Sequence, residues 1–248
     1  MATTILTGPI EIPTAATVSF VESHLPSGAT ILEVGCGAGH VAAQLSKRGF
    51  DVIGIDSDKE IVSQARHLNI RIISANWPDI DVDRVDAVVF TRSLHHISPL
   101  PEAISKAQNV LKSDGKILVE DFAFHDADLA ALEWFLTVLR SRKGRELVSA
   151  SPNDFVTTLV NASNVLNAWR QDHDHDLHTA DEMALAIGAV FNIREIQHTP
   201  YLYRYLVDVL PDTREATSFI EEIYSEESRL GKMGAFPLIG RRIVAKAE

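Results

Sequence analysis

A short apolar run that stops on three glycines at alternate positions, and then turns helical, has few ways to fold. Residues 30–34 (Thr-Ile-Leu-Glu-Val) lead directly into Gly35-Cys36-Gly37-Ala38-Gly39, and residues 40–48 have helical composition before Gly49 closes them. The pattern reads as strand, tight turn, helix. Glycine in such a turn permits positive φ and, lacking Cβ, lets a ligand approach the backbone. A tight turn with no ligand is the plainer reading of Gly-x-Gly by itself. Two features point further. Position 40 is His, so the spacing is G-x-G-x-G and not the G-x-G-x-x-G/A that packs a dinucleotide pyrophosphate on a helix N-terminus. Glu33 also sits two residues before the first glycine. A carboxylate there repels a pyrophosphate and attracts an ammonium, which implies a cationic, amino-acid-bearing nucleoside.

The rest of the first half repeats the strand–helix alternation. Apolar runs at 51–55, 70–74, 86–91 and 116–121 are separated by helical segments at 59–68 and 101–111, with a turn at 113–115. Strands alternating with helices predict a parallel sheet covered on both faces. Asp56 ends the second run, about twenty residues past the glycine turn, where a carboxylate can accept both hydroxyls of a ribose; capping of the following helix is the plainer alternative. The rhythm breaks after Phe122. Residues 126–143 carry Leu129, Leu132, Phe135, Leu136 and Leu139 on one helical face, with Gly144 able to stop the helix, and a second helix is expected over 153–169. These read as a helical insertion at 122–178 within a single domain spanning 1–248, suited equally to a lid over an acceptor and to a homodimer interface. Thr179 with Glu182 forms a capping box for a helix over 180–189. A sixth strand is expected at 191–196, a charged amphipathic helix at 213–230 and a final strand at 241–247. Residues 201–209 either continue the sixth strand or form a short extra element.

With these residues in hand, the chain resembles the class I S-adenosylmethionine-dependent methyltransferases of the small-molecule type. Residues 33–39 (E-V-G-C-G-A-G) look like that family's first motif, and Asp56 matches its second-strand acid. Ser74-Ala-Asn76-Trp77 matches the loop after strand three, residues 86–97 the strand-four motif, and residues 111–118 the glycine turn into strand five. The resemblance covers roughly residues 30–121 and fades afterwards. It implies a Rossmann-like, seven-stranded, mostly parallel α/β sheet of order 3-2-1-4-5-7-6 whose last strand is antiparallel. It implies S-adenosyl-L-methionine as cofactor and methyl transfer to an O, N or C atom of a small-molecule acceptor. Glu33, Gly35, Cys36, Gly37 and Gly39 then belong to the methionine end, Asp56 and Ser57 to the ribose, Asn76 and Trp77 to the adenine, and Thr91, Arg92 and Ser93 to the sulfonium side. A silent cofactor-binding partner protein on the same fold is the principal alternative, and a dinucleotide oxidoreductase is disfavoured by Glu33 and the glycine spacing.

His95, His96 and Asp121, at the ends of strands four and five, are the candidate catalytic groups. For the two imidazoles a structural role, one bonding nearby backbone and the other packing on the cofactor, is the plainer reading, with His96 the one carried forward as base or substrate contact. Glu120 points to the same pocket or is simply solvated, and His125 is a weaker candidate. The run Asp172-His173-Asp174-His175-Asp176-Leu177-His178 offers metal-ligand types, but a hydrophilic solvated connection is preferred and no metal is expected; His178 alone is placed near substrate. Tyr201, Tyr203 and Tyr205 alternate as strand residues on one face, with packing preferred over an aromatic platform. The net charge of −11 disfavours nucleic acid and anionic membrane surfaces. The lone Cys36 excludes a disulfide framework and is read as chemically inert. Residues 1–18 have neither a basic start nor a long apolar stretch, so a cytoplasmic location is expected.

Overall fold

Alternation along each strand decides the layering. The computed structural model describes residues 8–68, 70–149 and 153–247; residues 1–7 of the N-terminal stretch lie outside it. In β1 (Thr30–Val34), Ile31 belongs to one buried cluster and Leu32 to another. The same split runs through β2 (Asp51–Asp56), where Val52 and Ile53 part, and β4 (Val85–Thr91), where Val89 and Phe90 part. One face carries α1 (Glu11–Glu22) and α2 (His40–Lys47); the other carries α4 (Leu100–Val110) and α9 (Ala180–Gly188). A sheet covered on both sides needs apolar residues at every position, which is why Ala87-Val88-Val89-Phe90 is apolar throughout. Each of the larger side chains so buried contributes about 1.5–3 kcal/mol.

The remaining strands are β3 (Arg71–Ser74), β5 (Leu111–Phe122), β6 (Asn192–Thr199) and β7 (Gly240–Lys246). Among the described residues they form one seven-stranded sheet, order β3-β2-β1-β4-β5-β7-β6, with β7 antiparallel to both neighbours. This is the sheet the resemblance implied. The turn expected at 113–115 is absorbed into β5 as an irregularity, where register passes from Val85–Leu111 to Ala87–Lys116. The helix over 59–68 is α3 (Lys59–Gln64), continued by a 3-10 turn at Ala65–Leu68.

The segment after β5 departs from the expected two helices. Among the described residues it holds four α-helices: α5 (Leu129–Arg140), α6 (Arg142–Ser149), α7 (Asp154–Asn161) and α8 (Val165–Asp172). Gly144 does not stop a helix; it lies inside α6, where a Cβ would stand 2.3 Å from the Val138 carbonyl oxygen. The glycine lets the α6 backbone fold closely against the end of α5. Asn164 divides the expected helix over 153–169, its side chain capping α8 through the Asn167 N–H at 3.0 Å. The capping box at Thr179 and Glu182 is present at the head of α9. Residues 201–209 do not continue the sheet. They contain a 3-10 turn at Leu202–Leu206, after which α10 (Arg214–Lys232) returns to β7. No helix among the described residues is long and apolar enough to cross a membrane.

Candidate active site

Parallel strands place the carboxyl ends of β1, β2, β4 and β5 side by side, and ligand crevices form beyond such ends. Three cavities open there, of about 680, 620 and 450 Å³, and Arg92 borders all three.

The first cavity is built on the glycine turn. Gly35 and Cys36 donate their N–H groups to the Ile55 carbonyl at 2.8 and 3.0 Å, tying the turn to β2. Gly35 has φ +72°, and a Cβ on it would lie 2.2 Å from that of Ser93 at the end of β4, so no other residue fits. Gly37 has φ +52° and nothing within 4 Å of where its Cβ would be, leaving its backbone open to the cavity. Glu33 is buried beneath this turn and accepts the Thr91 hydroxyl at 2.8 Å through Oε1. Its Oε2 is buried with no hydrogen bond formed to it among the described residues. Burial pushes the Glu33 carboxyl up to about 7, against the opposing pull of Thr91, Arg92 and the Ala42 N–H. An orphaned carboxylate oxygen beside an open backbone is what an amino-acid ammonium satisfies, so these residues fit the methionine end of S-adenosylmethionine. Gly39 is set back from this cavity under Ile70 and Ile72 and shapes the turn from behind. Cys36 borders the cavity with its thiol pushed up by burial, which agrees with an inert role.

The second cavity holds Asp56, Ser57, Asn76 and Trp77 together with Ser93 and His96. Asp56 accepts the Gly37 N–H at 2.8 Å through Oδ2 and the Asp58 N–H at 3.0 Å through Oδ1. Each oxygen keeps lone-pair capacity for a ribose hydroxyl. The helix-capping alternative for Asp56 belongs to Asp58, whose carboxylate accepts the Glu60 and Ile61 N–H groups. Trp77 borders the cavity, but its indole is buried in the core, donating to the Ala103 carbonyl at 3.1 Å. Replacing Asp56 with alanine is expected to weaken S-adenosylhomocysteine binding by about 1–3 kcal/mol, read by calorimetry; unchanged affinity in the folded variant would assign the ribose elsewhere.

The third cavity combines imidazoles with aromatic walls. His95, in a 3-10 turn at Leu94–His96, places Nδ1 2.7 Å from Asp121 Oδ1, and both side chains are buried. Asp121 also accepts the Phe122 N–H at 3.0 Å and the His95 N–H at 3.3 Å. His95 Nε2 has no hydrogen-bond partner among the described residues, and His95 borders the cavity. His96 borders both this cavity and the ribose–adenine cavity, and burial, then the neighbouring His95, lowers its affinity for protons. Phe122, Phe155, Tyr201 and Tyr205 supply the rings.

Several expectations are corrected here. The three tyrosines do not share a strand face: the 3-10 turn sends Tyr201 and Tyr205 to the cavity, while Tyr203 packs edge-on against Tyr224 at 5.1 Å. Glu227 of α10 anchors that turn, accepting the N–H groups of Tyr201, Leu202 and Tyr203 at 2.7, 3.0 and 3.2 Å. Burial raises its carboxyl to about 7 despite those three donors. Glu120 is not solvated and lines none of the three cavities. It is buried, bonded to Thr17 of α1 at 2.6 Å and to Arg204 and Arg242 at 2.5 and 2.7 Å, with Arg92 at 3.6 Å. The run at 172–178 is not a uniformly solvated loop: His173 is buried, and both it and His175 border the cavity. His178 lines none of the three cavities but bonds Ser98 and the Ile97 carbonyl, which border the second, and His125 is exposed beside Phe124. Sequence reasoning also missed α1, whose Thr14, with Ile10 just before it, roofs the first cavity. Among the described residues no three His, Cys, Asp or Glu side chains converge as a metal site.

A model of the methyltransferase domain family matches residues 13–179 of this chain. The chain belongs to that family, within the class I S-adenosylmethionine-dependent methyltransferase superfamily. An S-adenosyl-L-methionine-dependent Diels-Alderase, iccD, from Talaromyces variabilis is 38% identical over 112 residues, which is 39% of this chain and 37% of that protein. The mitochondrial ubiquinone biosynthesis O-methyltransferase of Bos taurus is 33% identical over 115 residues, covering 40% of this chain and 31% of that one. The chain spans between about a third and two thirds of the length of the curated relatives it matches. In fold, it superposes on geranyl diphosphate C-methyltransferase from Streptomyces coelicolor A3(2), a complex containing S-adenosyl-L-homocysteine. There the TM-score is 0.56 and the identity 15%, over 94% of this chain and 76% of that one.

Proposed function

We propose that this protein transfers the methyl group of S-adenosylmethionine to a hydroxyl oxygen of a small-molecule acceptor. The observation that carries the reading is the orphaned Glu33 Oε2 beside the open Gly37 backbone, with Asp56 next to it. S-adenosylmethionine, when bound, supplies a methyl group already activated on a sulfonium. Glu33 would take its ammonium and Asp56 its ribose. His95, with Nδ1–H committed to Asp121, presents the Nε2 lone pair to the acceptor cavity. A hydroxyl there would give its proton to Nε2, leaving its oxygen free to take the methyl group that the sulfonium would supply, with the electron pair of the broken bond left on sulfur. General base action of this kind contributes about 10²–10⁴-fold, and alignment within closed walls supplies the proximity term. Phe155 from α7 and His173, the residue capping α8, both border the cavity, which supports a lid for the inserted helices over a homodimer interface. A cavity of about 450 Å³ is the size of a small-molecule site, not a polymer groove.

The test is direct. Incubation with S-adenosylmethionine and hydroxylated acceptors should yield S-adenosylhomocysteine and a methyl ether. The Diels-Alderase relative motivates a second reading, in which the nucleoside is held but not consumed; acceptor conversion without S-adenosylhomocysteine would support it, and the silent-partner alternative predicts neither product.

The Glu33 carboxyl gives a pH signature. Only its ionised form pairs with an ammonium, so affinity for S-adenosylhomocysteine should rise roughly tenfold between pH 6 and pH 8, with proton release on binding. Glu33→Gln should bind more weakly and without that slope. A flat wild-type profile in calorimetry would remove Glu33 from the ammonium. The effect on stability has the opposite sign: a carboxyl raised from 4.5 to about 7 on folding stabilises the ligand-free protein below 4.5, and that contribution is lost as pH rises through 7.

A further inference from the structure

Two hydrogen-bonded chains end at the acceptor cavity, and counting hydrogens fixes the direction of each. Asp121 only accepts, so His95 Nδ1 carries a proton, and in the neutral ring Nε2 keeps the lone pair. The second chain runs Trp169–His173–Tyr205. His173 Nδ1 lies 2.8 Å from the Trp169 carbonyl oxygen, which also only accepts, so the proton is again on Nδ1. His173 is buried, and burial holds its ring in the neutral form. Its Nε2 is therefore an acceptor, 2.8 Å from Tyr205 Oη. Tyr205 must spend its single O–H on that nitrogen. What remains on Oη is lone-pair capacity at the cavity wall: an oxygen that accepts and has nothing left to donate.

The walls around these two acceptors are flat. Phe122 stacks on Tyr201 at 4.6 Å and 9°, and Phe155 on Tyr205 at 4.9 Å and 29°. Aromatic walls of this kind favour another ring beside them. A ligand that offered Tyr205 an ether or carbonyl oxygen would bring lone pair to lone pair and leave both unsatisfied in a desolvated site.

We propose that Tyr205, its hydroxyl proton committed to His173, selects as acceptor a planar aromatic molecule that carries a second hydrogen-bond donor besides the hydroxyl facing His95. The inference rests on the reading of this cavity as the acceptor site, but its test needs no methyl transfer. Binding of phenol, the three benzenediols, 2-methoxyphenol and the cyclohexanediols is measured by calorimetry or NMR, with and without saturating S-adenosylhomocysteine. At least one benzenediol should bind about ten- to hundredfold tighter than phenol, with 2-methoxyphenol and the cyclohexanediols well behind it. In Tyr205→Phe the benzenediol-to-phenol ratio should collapse to within about threefold, because the accepting oxygen is gone. In His173→Phe, whose ring fits beside Phe124 and Trp169, the Tyr205 O–H is released and the preference should turn toward 2-methoxyphenol. Looser packing alone would not reverse a preference.

Equal binding of phenol and every benzenediol overturns the proposal, as do tight binding of cyclohexanediols, uniform weakening of all probes in Tyr205→Phe, and failure of every arene to bind. The two readings fail separately. Arene selectivity without S-adenosylhomocysteine formation would sink methyl transfer and leave Tyr205 its role; methyl transfer to unrelated acceptors with arenes ignored would do the reverse.

Discussion

Replacing His95 with glutamine is expected to slow methyl transfer by about 10²–10⁴-fold while cofactor affinity stays within a factor of about three. The imidazole borders the proposed acceptor cavity, and its Nδ1 is held 2.7 Å from Asp121. Asp121→Asn should lower the rate as well, because a neutral amide no longer dictates which nitrogen carries the proton. His96→Ala should cost less, since among the described residues His96 makes no hydrogen bond to a carboxylate and borders both cavities as a wall. Rates are to be compared under saturating S-adenosylmethionine with acceptor varied. A His95→Gln rate close to wild type, or a loss matched by lost cofactor binding, would remove the base from the mechanism.

The second large effect concerns stability. Glu120→Ala is expected to destabilise the fold by about 3–5 kcal/mol, because it strips the counter-charge from Arg204, Arg242 and Arg92. For a chain of this size that lowers the thermal midpoint by roughly 10 °C. Burial alone would push the Glu120 carboxyl up, but the three guanidinium groups outweigh it and bring it down to about 2. Since its folded pKa is depressed, its contribution is present above 4.5 and lost as pH falls toward 2. Denaturation at pH 7 and pH 3 should therefore show a variant penalty that shrinks in acid. A penalty below about 1 kcal/mol at pH 7 would mean the cluster relaxes without its carboxylate.

Local signals carried most of the architecture. The strand–turn–helix at residues 30–48 and the apolar runs to residue 121 follow from periodicity and glycine placement, and they put Glu33, Asp56, His95 and Asp121 at neighbouring strand ends. What escaped depends on distant partners. The 3-10 turn that separates the tyrosines is held by Glu227, 24 to 26 residues further on. His173 is buried because Trp169 and Tyr205 surround it, not because of its hydrophilic neighbours. The ranking of His95 over His96 turns on which ring reaches Asp121, a contact that spacing does not resolve. The helix breaks were partly legible: Asn164 is an ordinary cap residue, whereas the packing role of Gly144 needed the position of the Val138 carbonyl.

Thr17 and Arg204 reach the same oxygen of Glu120, one from the helix above the nucleoside, the other from the turn that carries the acceptor's ring wall. Lifting that helix to let spent nucleoside escape would break a bond at the hub that also stiffens the opposite chamber. On the proposed methyl-transfer reading, product exit and acceptor grip would then draw on a single ionic knot.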